Sequence, residues 1–147
     1  MKWIDLPPVW LLAAAIAAWW LGVLLPQPGF GAWAWPAGVV LIGAGLACMV
    51  LAVIAFRRAA TTVVPHRVPS AIVTTGIYRY SRNPIYLGDA LLLAGLILIW
   101  GPVAATLVLP LFVLVIGRRF VLPEEARLAA AFPREFEAWR ARTRRWI

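Results

Sequence analysis

The sequence predicts an all-α fold, an integral membrane helical bundle of four transmembrane helices plus C-terminal amphipathic cytoplasmic helices. Three observations carry this. Of the 147 residues, 63% are hydrophobic and only 14% are charged, whereas soluble domains are about half apolar and about a quarter charged. The apolar residues gather into four runs. The basic residues behind the net charge of +8 fall, Lys2 aside, into two blocks that flank those runs, Arg57 to Arg82 and Arg118 to Arg145. That placement fits positive-inside topology and contact with anionic lipid headgroups, and it argues against nucleic acid as a partner.

The first run, residues 9–25, has no charge and continues past Ala15-Ile16-Ala17 through Trp19 and Trp20. It therefore reads as a retained span, not a cleaved signal peptide. Asp5 lies just ahead of it, placed to cap the first helix. The second run, 37–56, is also uncharged, and both approach the roughly 20 residues that cross a bilayer. Runs 85–100 and 103–117 are shorter and are separated by Gly101-Pro102, a tight helical hairpin turn. Their inner ends are extended by polar segments, which lets them be read as spans. The chain is then one domain, 1–147, with a cytoplasmic loop 57–84 and a cytoplasmic tail 118–147.

The connector 26–36 and the Gly101-Pro102 turn contain no Lys or Arg. Both termini are therefore expected to be cytoplasmic, in a membrane taken to be the bacterial inner membrane. Trp19, Trp20, Trp33, Trp35 and Trp100 all fall at the opposite interface, as an aromatic belt. In the tail, Pro123 reads as the first turn of a new helix, with Glu124 and Glu125 beside its positive end. Leu128, Phe132, Phe136 and Trp139 define one apolar face, interrupted by Pro133. The arginines opposite that face are expected to lie along the membrane surface.

Cys48 and His66 are each the only residue of their type, so no intramolecular disulfide is possible and no metal site is expected. Glu135 and Glu137 lie among arginines and are expected to pair with them. Asp89, about one turn inside the third run, is either paired with Arg82 or another arginine, or used for a ligand. A hairpin of the last two spans would bring the Arg79–Gly88 loop to the Arg118–Glu125 junction. Cations, two carboxylates, Tyr78, Tyr86 and the backbone at Gly88 would then meet at one end of the bundle. Such a set suits a zwitterionic ligand with an aromatic base.

The run Gly76-Ile77-Tyr78-Arg79-Tyr80-Ser81-Arg82-Asn83-Pro84-Ile85-Tyr86-Leu87-Gly88 resembles the signature G-x-Y-R-x-x-R-H-P-x-Y-x-G of the isoprenylcysteine carboxyl methyltransferase family. That family is grouped with the phospholipid methyltransferases, small integral membrane enzymes. Glu124-Glu125 with Leu128, Phe132-Pro133 and the acidic-aromatic run to Trp139 resembles the family's second block. The two blocks cover the C-terminal half, and the first two spans carry no specific match. The resemblance implies S-adenosyl-L-methionine as cofactor, bound at the cytoplasmic end, and a membrane lipid or lipid-like acceptor. Carried over, Arg79, Asn83, Pro84, Tyr86, Leu87, Gly88 and Glu125 are cofactor-binding candidates, and Arg82 and Glu124 are the catalytic candidates.

Asn83 stands where the signature has His, and Asn has no basic nitrogen to take a proton. This slightly favours a carboxylate or thiolate acceptor over an amine. Two other readings compete: a small four-helix transporter with Asp89 as its coupling site, and an NADPH-dependent membrane reductase. The oligomeric state and the acceptor's identity are left open by the sequence.

Overall fold

The computed structural model describes residues 6–25, 29–59, 71–100 and 103–147, all-helical apart from turns and one isolated bridge. Helix α1 spans Pro7–Leu24 and α2 spans Ala34–Arg58. A single 3-10 turn, Gly76–Arg79, leads into α3, Pro84–Trp100. Three stretches are long and apolar enough to cross a membrane, namely Pro7–Leu24, Ala34–Arg58 and Val103–Ala131. With 17 residues, α3 rises about 25 Å, somewhat less than a hydrocarbon core of about 30 Å. The expected cap at Asp5, the Gly101-Pro102 turn and His66 lie outside the described residues.

Helices α2 and α3 make the broadest contact in the molecule, and glycine makes it possible. A Cβ on Gly38 would meet the Gly95 carbonyl oxygen at 2.7 Å, and one on Gly45 would meet that of Gly88 at 2.7 Å. The pairs run antiparallel with seven-residue spacing on both helices, so two backbones touch where side chains would normally separate them. Helix α1 packs on the other side of α3 and on the last long helix. The main core lies there, with Ala15 and Ala18 against Tyr86, Leu93, Ile97, Phe112, Ile116 and Phe120. Large apolar side chains such as Leu12, Val40 and Leu111 point outward, the pattern of a lipid-facing surface. The five belt tryptophans are all exposed, at the end of the bundle away from Arg57, Arg58, Arg118 and Arg119.

The tail departs from expectation at its start. Pro123, Glu124 and Glu125 lie in the first turn of a helix as expected, but that helix has no separate start. Instead a 3-10 turn (Val103–Leu107), α4 (Val108–Ile116), a π-helical turn (Gly117–Val121) and α5 (Leu122–Ala131) follow without a break. The Leu122 N–H bonds to the Gly117 carbonyl. Proline inside an α-helix clashes with the carbonyl four residues back, and the wider turn before Pro123 makes room for its ring. The extra residue also rotates Glu124 and Glu125 by about 100° relative to a straight continuation. Phe132 then breaks the helix with φ −134° and ψ 61°, and α6 runs Pro133–Arg140. Its Phe136 and Trp139 are buried in a second core with Ala52, Ala55, Val73 and Tyr78. Glu137 pairs with Arg140 at 3.3 Å on the surface.

Candidate active site

The signature loop divides into an anchoring half and a site-facing half. Gly76 has φ +62°, a conformation glycine adopts without cost and other residues avoid. Tyr78 is buried edge-on to Phe56 at 5.3 Å, and its carbonyl accepts from Trp139 Nε1 at 2.8 Å. Burial, with Glu124 nearby, pushes the Tyr78 phenol above its ordinary value, so it stays neutral. The first half of the motif thus ties the loop to α2 and α6. We expect Trp139→Phe to leave that buried carbonyl unpaired and to cost about 1–2 kcal/mol in a thermal or denaturant melt. Arg79 and Tyr80 are exposed, and the Arg79 side chain takes no part in the cluster described next.

The last residues of the chain lie beside the second half of the motif. Ser81 forms a parallel bridge with Arg144, and the Arg82 N–H donates to the Arg144 carbonyl at 3.0 Å. Thr143 Oγ1 donates to the Arg79 carbonyl at 3.4 Å. Ser81 Oγ donates to the Arg145 carbonyl at 3.4 Å and accepts from the Asn83 N–H at 3.1 Å. The buried Asn83 side chain donates from Nδ2 to that same carbonyl at 3.1 Å. The irregular letter of the signature therefore has a defined task, holding the C-terminal backbone as a strap. An aspartate there would set oxygen against oxygen. We expect Asn83→Asp to loosen the strap and to speed tryptic cleavage after Arg142 and Arg144, while Asn83→His, which retains a ring N–H, does so far less.

The strap delivers Arg145 to Glu125. Arg145 donates from Nη2 to Glu125 Oε2 at 2.8 Å and from Nε to Oε1 at 3.2 Å and Oε2 at 3.1 Å, so both carboxylate oxygens are engaged. Arg82 also approaches Glu125, Nε to Oε1 at 3.2 Å, with side chains only 8% and 11% exposed. This contact is close in distance but poorly aligned, and Arg82 Nε is left buried without a hydrogen-bond acceptor among the described residues. Burial holds the Arg82 guanidinium below its ordinary value, and Glu125 opposes that shift. Glu124 accepts from the Tyr86 hydroxyl at 2.8 Å, and the Tyr86 ring lies 6.3 Å from that of Phe120.

The loop and the glutamate pair, about forty residues apart in sequence, thus meet at one end of the bundle. Arg82, Asn83, Tyr86, Glu124 and Glu125 are brought together, and Pro84 is buried at the first position of α3. Leu87 is half-buried. Gly88 is turned to α2, where a Cβ would strike the Gly45 carbonyl at 2.7 Å and Met49 Cγ at 2.9 Å, so its position serves helix packing. Asp89 is not paired with Arg82, which faces Glu125 instead. Arg145 and Ser81 had no place in the expected site. Among eight arginines from Arg118 onward, no spacing distinguishes Arg145. It was expected along the membrane surface but turns inward to Glu125.

The arrangement can grip a carboxylate with a buried guanidinium and accept hydrogen bonds at Glu124. Neither the comparison with curated proteins nor that with solved structures gave a match. The family model does more than the sequence resemblance, because it reaches back across α2. The model of the phospholipid methyltransferase family matches residues 33–135, more than half of the chain and a stretch containing both the signature loop and the glutamate pair, and the chain belongs to that family of membrane methyltransferases.

Proposed function

We propose that this chain transfers a methyl group from S-adenosyl-L-methionine to a lipid-like acceptor that partitions into the membrane. One observation carries the reading: the signature loop and the glutamate pair converge within 3.2 Å through Arg82 and Glu125. The donor's chemistry fits the residues present. The orphaned Arg82 Nε is a buried cationic donor suited to the methionine carboxylate. Glu124 is suited to the ammonium or a ribose hydroxyl. When bound, S-adenosyl-L-methionine supplies an electrophilic methyl group on a positively charged sulfur. The protein's own work is to align the acceptor and exclude water, which an in-line displacement needs more than it needs a metal.

The topology proposed is four spans, with α3 extended at its inner end by the Gly76–Asn83 segment, in a bacterial inner membrane with both termini cytoplasmic. The arginines at one end of the helices and the tryptophans at the other support it. Family membership leaves the transporter and reductase readings without support. The slight preference for a carboxylate or thiolate acceptor rested on Asn83 alone. With its amide committed to the Arg145 carbonyl, Asn83 bears on the strap and no longer on the acceptor. Calorimetry with S-adenosylhomocysteine on protein in detergent tests the donor; no binding at millimolar concentration would sink the proposal. Mass spectrometry of membrane lipids after feeding labelled S-adenosyl-L-methionine, with and without the protein, identifies what is methylated.

A further inference from the structure

The parallel bridge between Ser81 and Arg144 sets the residues that follow them, Arg82 and Arg145, side by side. Successive side chains along extended backbone point to opposite faces, and neighbours across a bridge share one. Both guanidiniums accordingly reach the same carboxylate, that of Glu125. The strap is pinned at and around Arg145. Its carbonyl accepts from Ser81 Oγ and Asn83 Nδ2. The buried Thr143 donates to the Arg79 carbonyl, and the half-buried Trp146 packs against the core that holds Tyr86 and Phe120.

The two arginines do not share Glu125 equally. Arg145 hydrogen-bonds both carboxylate oxygens, at 2.8 to 3.2 Å. Arg82 Nε comes within 3.2 Å of Oε1 yet makes no hydrogen bond to it. A carboxylate has lone pairs enough for two guanidiniums, so what Arg82 lacks is alignment, and the carboxylate is aligned to Arg145. Two cations on one anion also leave an excess of positive charge. Like charges on neighbouring strands repel, and a buried donor without an acceptor is costly. An incoming carboxylate would remove both costs at once.

We propose that Arg145 is a positioning residue for the donor: by holding Glu125 aligned to itself, it keeps the Arg82 Nε–H open for the donor's carboxylate. This deepens the methyltransferase reading and rests on it. Arg145 acts through Glu125 and Arg82 and does not touch the donor. Without it, Glu125 is free to turn onto Arg82 and accept from Nε, which fills the place the ligand would take. The fold loses little, because the Arg145 side chain is 43% exposed, but the site loses its grip. Arg145 lies beyond both motif blocks and owes its part to the strap that carries it.

Calorimetry on protein in detergent, with S-adenosylhomocysteine and its decarboxylated analogue, tests this. The wild type should prefer the ligand with the carboxylate at least about tenfold. Arg145→Ala should bring that ratio to about one and leave the affinity for the decarboxylated analogue unchanged. A merely structural loss would weaken both ligands together, and that result overturns the proposal. Arg82→Gln should also abolish the preference, and adding Arg145→Ala to it should change neither affinity. A preference that survives Arg82→Gln and disappears only in the double variant would mean that Arg145 grips the ligand itself, which also overturns it. So does tighter binding of S-adenosylhomocysteine by Arg145→Ala. NMR of isotope-labelled arginine supplies a readout without ligand. The Arg82 Nε–H signal, assigned by its loss in Arg82→Gln, should move to a hydrogen-bonded position in Arg145→Ala, and an unmoved signal sinks the proposal whatever the ligands do. If the wild type binds neither ligand, the methyltransferase reading fails, and the NMR signal alone judges Arg145.

Discussion

Replacing Glu125 with glutamine is expected to destabilise the protein by about 3 kcal/mol, the range seen when one partner of a buried ion pair is removed. It should also weaken S-adenosylhomocysteine binding by about tenfold or more, equivalent to about 1.4 kcal/mol. The cause is positional. Glu125 sits between Arg82, with a side chain 8% exposed, and Arg145, 43% exposed. Without its charge, a buried guanidinium faces another cation and has no counterion. Arg145→Ala removes the other partner and should cost less, about 0–1 kcal/mol, because that side chain is 43% exposed and water screens its charge far more than that of Arg82. Arg82→Leu together with Glu125→Leu should recover part of the loss, as an apolar pair often replaces a buried ion pair at little cost. Denaturant melts of the set decide the matter. Equal losses for Glu125→Gln and Arg145→Ala would show that the Arg82 contact carries no weight.

Several parts of this architecture were legible in the residues and others were not. The apolar runs around Ala15, Gly45 and Leu93 announced helices, because in a bilayer the backbone must satisfy itself. The meeting of Arg82 with Glu125 followed from a hairpin argument and the positions of the charges. The strap was out of reach. Asn83 and Arg145 are separated by 62 positions, and a carbonyl oxygen is the same group at every residue, so no letter marks the one that Asn83 finds.

Pro123 marked the first turn of α5 but not its continuity with α4, for a physical reason. Proline opens helices, but it is also accommodated inside one when a π-turn precedes it, and a sequence does not say which. Gly88 poses a similar ambiguity. A motif glycine next to a pocket and a glycine at a helix crossing both answer to the need for close backbone approach, and only the neighbouring atoms distinguish them. Asp89 was legible as a group that needs a partner, but the partner is absent from the described chain.

The glycine crossing yields the second large effect, and it separates packing from ligand contact. Gly45→Ala should lower stability by about 1–3 kcal/mol, as overpacking does, since its Cβ would lie 2.7 Å from the Gly88 carbonyl oxygen and 3.1 Å from the Leu92 nitrogen. Neither is the free end of a side chain, so the helices themselves must part. Gly88→Ala meets the Gly45 carbonyl at 2.7 Å and should cost a similar amount. Any shift of α3 away from α2 carries Asn83 and Tyr86 with it, moving Asn83 against the Arg145 carbonyl and Tyr86 against Glu124. Both variants should therefore weaken donor binding to similar degrees, although Gly45 lies on α2 and outside both motif blocks. Gly43→Ala on the same helix is the control, because its Cβ would meet nothing within 4 Å, and it should leave melting and binding unchanged. If Gly88→Ala abolished donor binding while Gly45→Ala matched it in stability but bound the donor normally, Gly88 would have to touch the ligand directly, and the helix crossing would be only half of its role.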